Sequence, residues 1–237
     1  MIRDRRIALA FRATSLLAAV CGFLSMLGAF SGEVRPMTLA YYTMLSNLLA
    51  ITLFIMLTVR TVIGLRDGIK GDNGYFPRFE MICTVDLTLT VAGFWLLLAP
   101  AFFTMAAEYP MWSFENLAVH GITPMLCFLD YVLFTQPRHL RHRDIYYVGI
   151  FPVAYLTATT LAGLSGFVYY ISETDGAPVR FPYFFSDFDR IGYSSLFYIG
   201  AMFAYFLLAG HAFYLVDWRI RKPRDAELQL HPHESNP

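Results

Sequence analysis

Two side chains in an otherwise apolar chain have the types and setting for covalent chemistry: Thr43, in the run YYTMLSN, and His120, in NLAVHGITP. A threonine hydroxyl is a poor nucleophile until a neighbouring base takes its proton, and neutral imidazole can do so near pH 7. Ser46 and Asn47 follow Thr43 at i+3 and i+4, Asn116 precedes His120 by four residues and Thr123 follows it by three. At that spacing each set shares one helix face. Ser46, Asn47, Asn116 and Thr123 are therefore the candidates to orient the base, contact a substrate or stabilise an oxyanion. The same residues allow a plainer reading, in which Thr43 bonds its own helix backbone and His120 bridges helices; chemistry alone favours it.

For the pair to meet, both residues must ride on helices that cross one slab of hydrocarbon. The chain has 237 residues, of which 57% are hydrophobic, 17% aromatic and 15% charged, with mean hydropathy +0.48. A soluble domain carries about 25% charged residues, and six buried core helices would need more amphipathic cover than this chain offers. Crossing a hydrocarbon core takes roughly 20 helical residues. Six apolar stretches approach that length, near 8–30, 38–59, 80–104, 115–136, 145–169 and 191–216. The expectation is an all-α polytopic membrane protein, six transmembrane helices in one bundle. Helix 2 then runs inward from about Met37 and helix 4 from about Phe114, which puts Thr43 and His120 each about 9 Å below the outer end. Pro124 has no N–H for the carbonyl of His120, so a kink there could open a polar cavity.

Arginine and lysine gather on alternate loops. Arg3, Arg5, Arg6 and Arg12, then Arg60, Arg66, Lys70 and Arg78, then Arg138, Arg141 and Arg143, then Arg219, Arg221, Lys222 and Arg224 make fifteen of the eighteen basic residues. By the positive-inside rule both termini are cytoplasmic. The basic loops set topology and meet anionic lipid; no nucleic-acid motif is present. MIRDRR before an apolar run imitates a signal peptide, but the run is long and its cleavage site unconvincing, so a retained first helix is expected. Residues 1–222 read as one transmembrane domain and 223–237 as a polar cytoplasmic tail, whose His231 and His233 are expected to be solvated. Cys21, Cys83 and Cys127 fall inside spans without metal or redox spacing and read as packing residues.

A second polar group lies deeper: Asp86, Asp130 and His211, each roughly 10 Å from the cytoplasmic ends of their helices. These three could relay protons or form a hydrogen-bonded knot that fixes helix packing, and the knot is the better reading. Glu80 and Asp217, near the interface, could snorkel or cap, and Trp112 and Trp218 suit interfacial anchoring. The outer loop ISETDGAPVRFPYFFSDFDR joins acids to Phe181, Tyr183, Phe184 and Phe185. So apolar a loop folds back, either as a lid over Thr43 and His120 or as an interfacial aromatic belt.

In YYTMLSN on helix 2, HGITPMLCFLDYVLF on helix 4 and FPYFF before the last helix, in that order and spacing, the chain resembles the androgen-induced-protein-like family of six-helix transmembrane threonine hydrolases, particularly its prokaryotic members. The resemblance runs through most of the chain. It implies an intramembrane hydrolase of fatty acid esters of hydroxy fatty acids, with the nucleophile at Thr43 and its histidine partner at His120. It also implies a lipid-ester substrate from the membrane, residence in a prokaryotic plasma membrane, and no metal or organic cofactor. The surroundings of the threonine follow the YTxxSN pattern of the prokaryotic members rather than that of the animal enzymes, which leaves the substrate open. The rival reading is a non-enzymatic lipid-binding protein or small-solute transporter working through Asp86, Asp130 and His211. Against transport, neither inverted repeats nor paired broken helices are evident.

Overall fold

Hydrocarbon offers backbone groups no partners, so an apolar run that enters it must satisfy them internally, as a helix does. In a computed structural model, which describes residues 1–69, 71, 73–99, 110–172 and 176–220, six helices are long and apolar enough to cross a membrane. They are α1 (Arg5–Met26), α2 (Tyr42–Arg66), α3 (Pro77–Leu96), α4 (Phe114–Phe134), α5 (His142–Leu164) and α7 (Ser194–Trp218). A short helix α6 (Phe188–Ile191) leads into α7. Between α5 and α6 lies one departure from an all-α fold, an antiparallel pair of two-residue strands, β1 (Tyr170–Ile171) and β2 (Pro178–Val179). Phe197, 76% exposed, and Leu96, 72% exposed, lie on the outside of the bundle. Such a surface suits lipid, and the architecture is compatible with an integral membrane protein. Lys70, Arg221, Lys222, Arg224, the tail at 223–237 and the expected outer end of helix 3 at 100–104 lie outside the described residues.

Local chemistry moves some helix ends from their expected places. Asp4 caps α1 by accepting the Arg6 N–H at 2.7 Å, and Pro77 opens α3, where its missing N–H costs nothing. Pro36 starts a separate 3₁₀ turn, Pro36–Ala40, and Tyr41 is extended, so α2 begins at Tyr42 rather than near 38. α5 ends at Leu164 rather than 169, two residues before Gly166, which adopts a left-handed φ of 86°.

α3 and α4 contribute to two apolar cores. Ala19, Ala50, Phe54, Leu57, Cys83, Leu87 and Cys127 fill the space among α1, α2, α3 and α4. Tyr42, Val85, Tyr131, Val148, Tyr155, Phe206 and Phe213 join α2, α3 and α4 to α5 and α7. α1 approaches α4 closely at Gly22, where a Cβ would overlap that of Ala118. Gly22→Ala is therefore expected to cost about 1–3 kcal/mol through overpacking. A lowered thermal midpoint of the detergent-solubilised protein would report it; an unchanged midpoint would mean that the two helices slide apart freely.

One end of the bundle, called here the basic end, corrects three expectations. Arg12 belongs to no loop: it is wholly buried within α1 and forms a two-pronged ion pair with Asp130, Nε to Oδ2 at 2.9 Å and Nη2 to Oδ1 at 2.8 Å. Its Nη1 donates to Thr61 Oγ1 at 2.7 Å, and its guanidinium lies over the rings of Phe134 and Tyr75. Glu80 and Asp217 do not snorkel. Both are buried, Glu80 accepting from the Thr135 hydroxyl and Asp217 from the Tyr131 hydroxyl, each at 2.7 Å. A carboxylate withdrawn from water needs such donors.

Candidate active site

Thr43 is the second residue of α2, so it lies in the first helical turn rather than the expected 9 Å inside. Its carbonyl accepts from Ser46 Oγ at 3.0 Å and Asn47 Nδ2 at 2.8 Å, which confirms that the three share a face. Each of these neighbours then reaches another helix. The Ser46 hydroxyl pairs with Thr90 Oγ1 of α3 at 3.1 Å, and Asn47 Nδ2 also donates to the Val119 carbonyl of α4 at 3.1 Å. One amide group thus pins the turn of Thr43 to the residue before His120.

His120 is 6% exposed, and its Nδ1 lies 3.1 Å from the backbone carbonyl of Asn116. A carbonyl only accepts, so Nδ1 carries the hydrogen and, in the neutral ring, Nε2 is the basic nitrogen. The ring stacks on Phe94 with centroids 4.0 Å apart. Around His120 the helix widens into a π turn, Ala118–Ile122, and α3 carries a second, Gly93–Leu98, which supplies Phe94 and Trp95. Pro124 indeed offers the His120 carbonyl no N–H, and the indole N–H of Trp95 donates to it instead at 3.0 Å. π turns inside α-helices are frequent at functional sites.

The remaining candidates divide. The Asn116 amide nitrogen faces the helix start, donating to the Pro110 carbonyl at 2.9 Å and to Ser113 Oγ at 3.2 Å, so in this conformation Asn116 serves His120 through its backbone. Thr123 is fully buried, and its hydroxyl, like Asn47 Oδ1, has no hydrogen-bond partner among the described residues. The Val119 carbonyl, to which a helical Thr123 would ordinarily back-bond, is the one that accepts from Asn47. Among the described residues no hydrogen bond joins the Thr43 hydroxyl to His120.

The first turn of α2 is met by Tyr183, on the loop between β2 and α6. The Tyr183 oxygen accepts the N–H of Tyr42 at 3.0 Å. The loop therefore folds back, as its apolar character implied, and caps a helix start that Tyr41 leaves without a side-chain cap. Its seat is aromatic. Tyr183 stacks on Phe185 at 5.0 Å and meets the edges of Tyr41 and Tyr155, while Phe181, 2% exposed, packs on Gly163 of α5. The Phe184 side chain lies outside the described residues. Burial pushes the Tyr183 phenol up to about 12, against the lowering pull of the Tyr42 N–H that it accepts, so it keeps its proton at neutral pH.

Asp86, Asp130 and His211 have separate partners. Asp86 accepts from the Tyr42 hydroxyl at 3.0 Å, which attaches it to the turn of Thr43; Asp130 belongs to Arg12. His211 bonds the Leu207 carbonyl through Nδ1 at 2.7 Å and sets its ring edge-on to His142. Among the described residues no group of three His, Cys, Asp or Glu could hold a metal ion, and the three cysteines are free thiols. A cleft of about 580 Å³ opens at the basic end, lined by Arg3, Arg5, Gly64 and Ile69, at the other end of α2 from Thr43. Trp112 and Trp218 are exposed, in keeping with interfacial anchoring.

Sequence reasoning missed Trp95, Phe94 and Tyr42 as neighbours of the pair. The donor lost at Pro124 was a signal that something must serve the His120 carbonyl, but nothing in the order of residues said that it would come from α3. No family model matches the chain, and no curated protein or solved structure matches it either.

Proposed function

We propose that this protein is an intramembrane lipid-ester hydrolase of the kind it resembles, with Thr43 as nucleophile, His120 as general base, and both termini on the cytoplasmic side of a prokaryotic plasma membrane. The observation that carries the reading is the state of His120. Its Nδ1 hydrogen is committed to Asn116, which leaves Nε2 basic, and Asn47 ties its π turn to the first turn of α2. A base whose second nitrogen is held by a carbonyl is an oriented base. Side chains of this kind often close their catalytic hydrogen bond only when substrate is present.

Thr43 Oγ attacks the ester carbonyl carbon as its proton passes to His120 Nε2, and the carbonyl π pair moves onto oxygen. Collapse of the tetrahedral intermediate expels the alcohol oxygen, which takes the proton from His120 and leaves an acyl-threonine. Water attacks the acyl carbon, gives its proton to Nε2, and Thr43 recovers that proton as the fatty acid departs. A fatty acid ester of a hydroxy fatty acid fits this cycle, since both products are amphiphiles that return to lipid. Asn47 and Ser46 hold the turn of Thr43, and Thr123 is the buried hydroxyl nearest in sequence to the base.

The test is labelling of the detergent-purified protein with a fluorophosphonate, read by intact mass and peptide mapping. The expected result is one adduct at Thr43, lost in His120→Ala. An adduct elsewhere, or labelling that ignores His120, would overturn the assignment. The transporter reading receives less support, because the three groups it needs have separate partners.

A further inference from the structure

The cleft at the basic end has a fixed cation in its wall. Arg5, the first residue of α1, lines it and is only 7% exposed. Its Nε donates to the Ile69 carbonyl at 2.7 Å and its Nη1 to the Tyr75 hydroxyl, and its guanidinium lies over the Tyr75 ring, 5.7 Å from the centre. Gly64 makes room for that placement, because a Cβ there would stand 2.8 Å from Arg5 Nη1. Just beyond Gly64 the end of α2 turns back on itself. The Ile69 N–H donates to the Gly64 carbonyl at 3.0 Å and the Gly68 N–H to the Leu65 carbonyl at 3.3 Å, with Gly68 at a left-handed φ of 65°. The reversal presents the Ile69 carbonyl to Arg5, and it leaves the cleft a backbone edge without side chains at Gly68 and Gly71.

Arg3 brings a second guanidinium to the same cleft. The segment that carries it is tied down on two sides: the Ile2 N–H donates to the Leu133 carbonyl of α4 at 2.6 Å, and the Ile2 carbonyl accepts from Asn73 Nδ2 at 3.1 Å. A third cation, Arg60, stands over the Tyr75 ring at 5.9 Å. Among the described residues the lining holds no carboxylate. Asp4 and Asp67, adjacent in sequence to lining residues, turn to other partners, the Arg6 N–H and the Arg66 guanidinium. A concave wall bearing one sign of charge concentrates its potential on a counter-ion, and guanidinium groups match the oxygens of a phosphate. A volume of about 580 Å³ suits a whole headgroup better than a bare ion. Exposed apolar side chains follow directly in sequence, Ile7 after Arg5 on α1 and Val62 and Ile63 before Gly64 on α2, with Ile69 in the cleft itself. The carrier of the phosphate therefore meets hydrocarbon-facing surface beside the charges.

We propose that this cleft is a specific site for an anionic phospholipid, whose phosphate is held by Arg3 and Arg5 and whose acyl chains lie along the outside of α1 and α2. With the termini cytoplasmic, the lipid is one of the inner leaflet. The site is separate from Thr43 and His120 and does not depend on the chemistry proposed for them.

The full-length protein in detergent is titrated with dioleoyl phosphatidylglycerol or dioleoyl phosphatidylcholine, and bound lipid is counted by native mass spectrometry. Phosphatidylglycerol is expected to bind about tenfold or more tightly than the zwitterionic lipid, and Arg3→Gln is expected to remove about tenfold of that affinity, the scale of one lost charge-assisted hydrogen bond. Gly64→Ala is expected to weaken binding as well, although it changes no charge, because its Cβ displaces the Arg5 guanidinium. Arg66→Gln removes the same charge as Arg3→Gln from an exposed residue outside the cleft lining, and is expected to leave affinity within about threefold. Thermal midpoints of the variants verify that each is folded. Equal binding of the two lipids, a loss in Arg66→Gln as large as that in Arg3→Gln, or full affinity in folded Gly64→Ala would each overturn the proposal, since the basic end would then act through its overall charge. Displacement of the lipid by millimolar inorganic phosphate, with the same dependence on Arg3 and Gly64, would keep the phosphate site but overturn the lipid as its ligand.

Discussion

Thr43→Ala is expected to lower hydrolysis of fatty acyl esters by about 10⁴-fold or more, because no other group in the cycle can form the acyl intermediate. The protein is expected to stay folded. What holds the first turn of α2 is the Thr43 carbonyl, which receives Ser46 and Asn47, and alanine keeps that carbonyl. Thr43→Ser, which retains a hydroxyl, is expected to keep measurable turnover. Comparing the three proteins by ester hydrolysis and thermal midpoint separates chemistry from folding. Full activity in Thr43→Ala with an unchanged midpoint would remove threonine from the mechanism.

The largest effect on stability is expected at the other end of the bundle. Arg12→Ala leaves the Asp130 carboxylate buried with no counter-charge, and breaking one side of such a pair costs about 3–5 kcal/mol. Asp130→Ala strands the guanidinium in the same way, though Thr61 and the faces of Phe134 and Tyr75 would remain around it. Replacing both at once, as Arg12→Met with Asp130→Leu, is expected to recover most of the loss, since the desolvation of two charges is relieved together. Thermal unfolding of the four proteins in one detergent would complete the cycle. Additive losses in the double variant would mean that the two charges contribute independently and that the pair is not the unit that matters.

Hydropathy made the six helices legible, because a span needs only length and apolar character, and both are local. Helix ends were less so where a special residue intervened: Pro36 detached the turn Pro36–Ala40 from α2, which put Thr43 in the first turn of its helix rather than about 9 Å along it. Spacing at i+3 and i+4 correctly put Ser46 and Asn47 beside Thr43 and placed Asn116 where its carbonyl meets His120. Partners across helices were not legible. Asp86, Asp130 and His211 were placed at one level by helix rise, yet depth says nothing about the direction a side chain faces, and each found a different neighbour. Arg12 reads as a loop arginine by its nearness to MIRDRR, but nearly two turns further along α1 it stands opposite Asp130. Tyr183 stood out only as one of four aromatics; that its hydroxyl would meet a helix start depended on how the loop turns.

The two facing π turns imply that the site depends on residue count as much as on residue type. A π turn holds one residue more than the α-helix it interrupts, so Ala118–Ile122 sets the phase between two halves of α4 that are each anchored separately: Asn116 to Pro110 above, Asp130 to Arg12 below. Removing one residue from this turn would restore an unbroken helix and rotate one half by about 100° against the other. With both halves pinned, the imidazole could not stay on Phe94 while Thr123 and Asp130 kept their places. A chain with every catalytic side chain intact but one fewer residue at 118–122 would thus carry the right letters in the wrong phase.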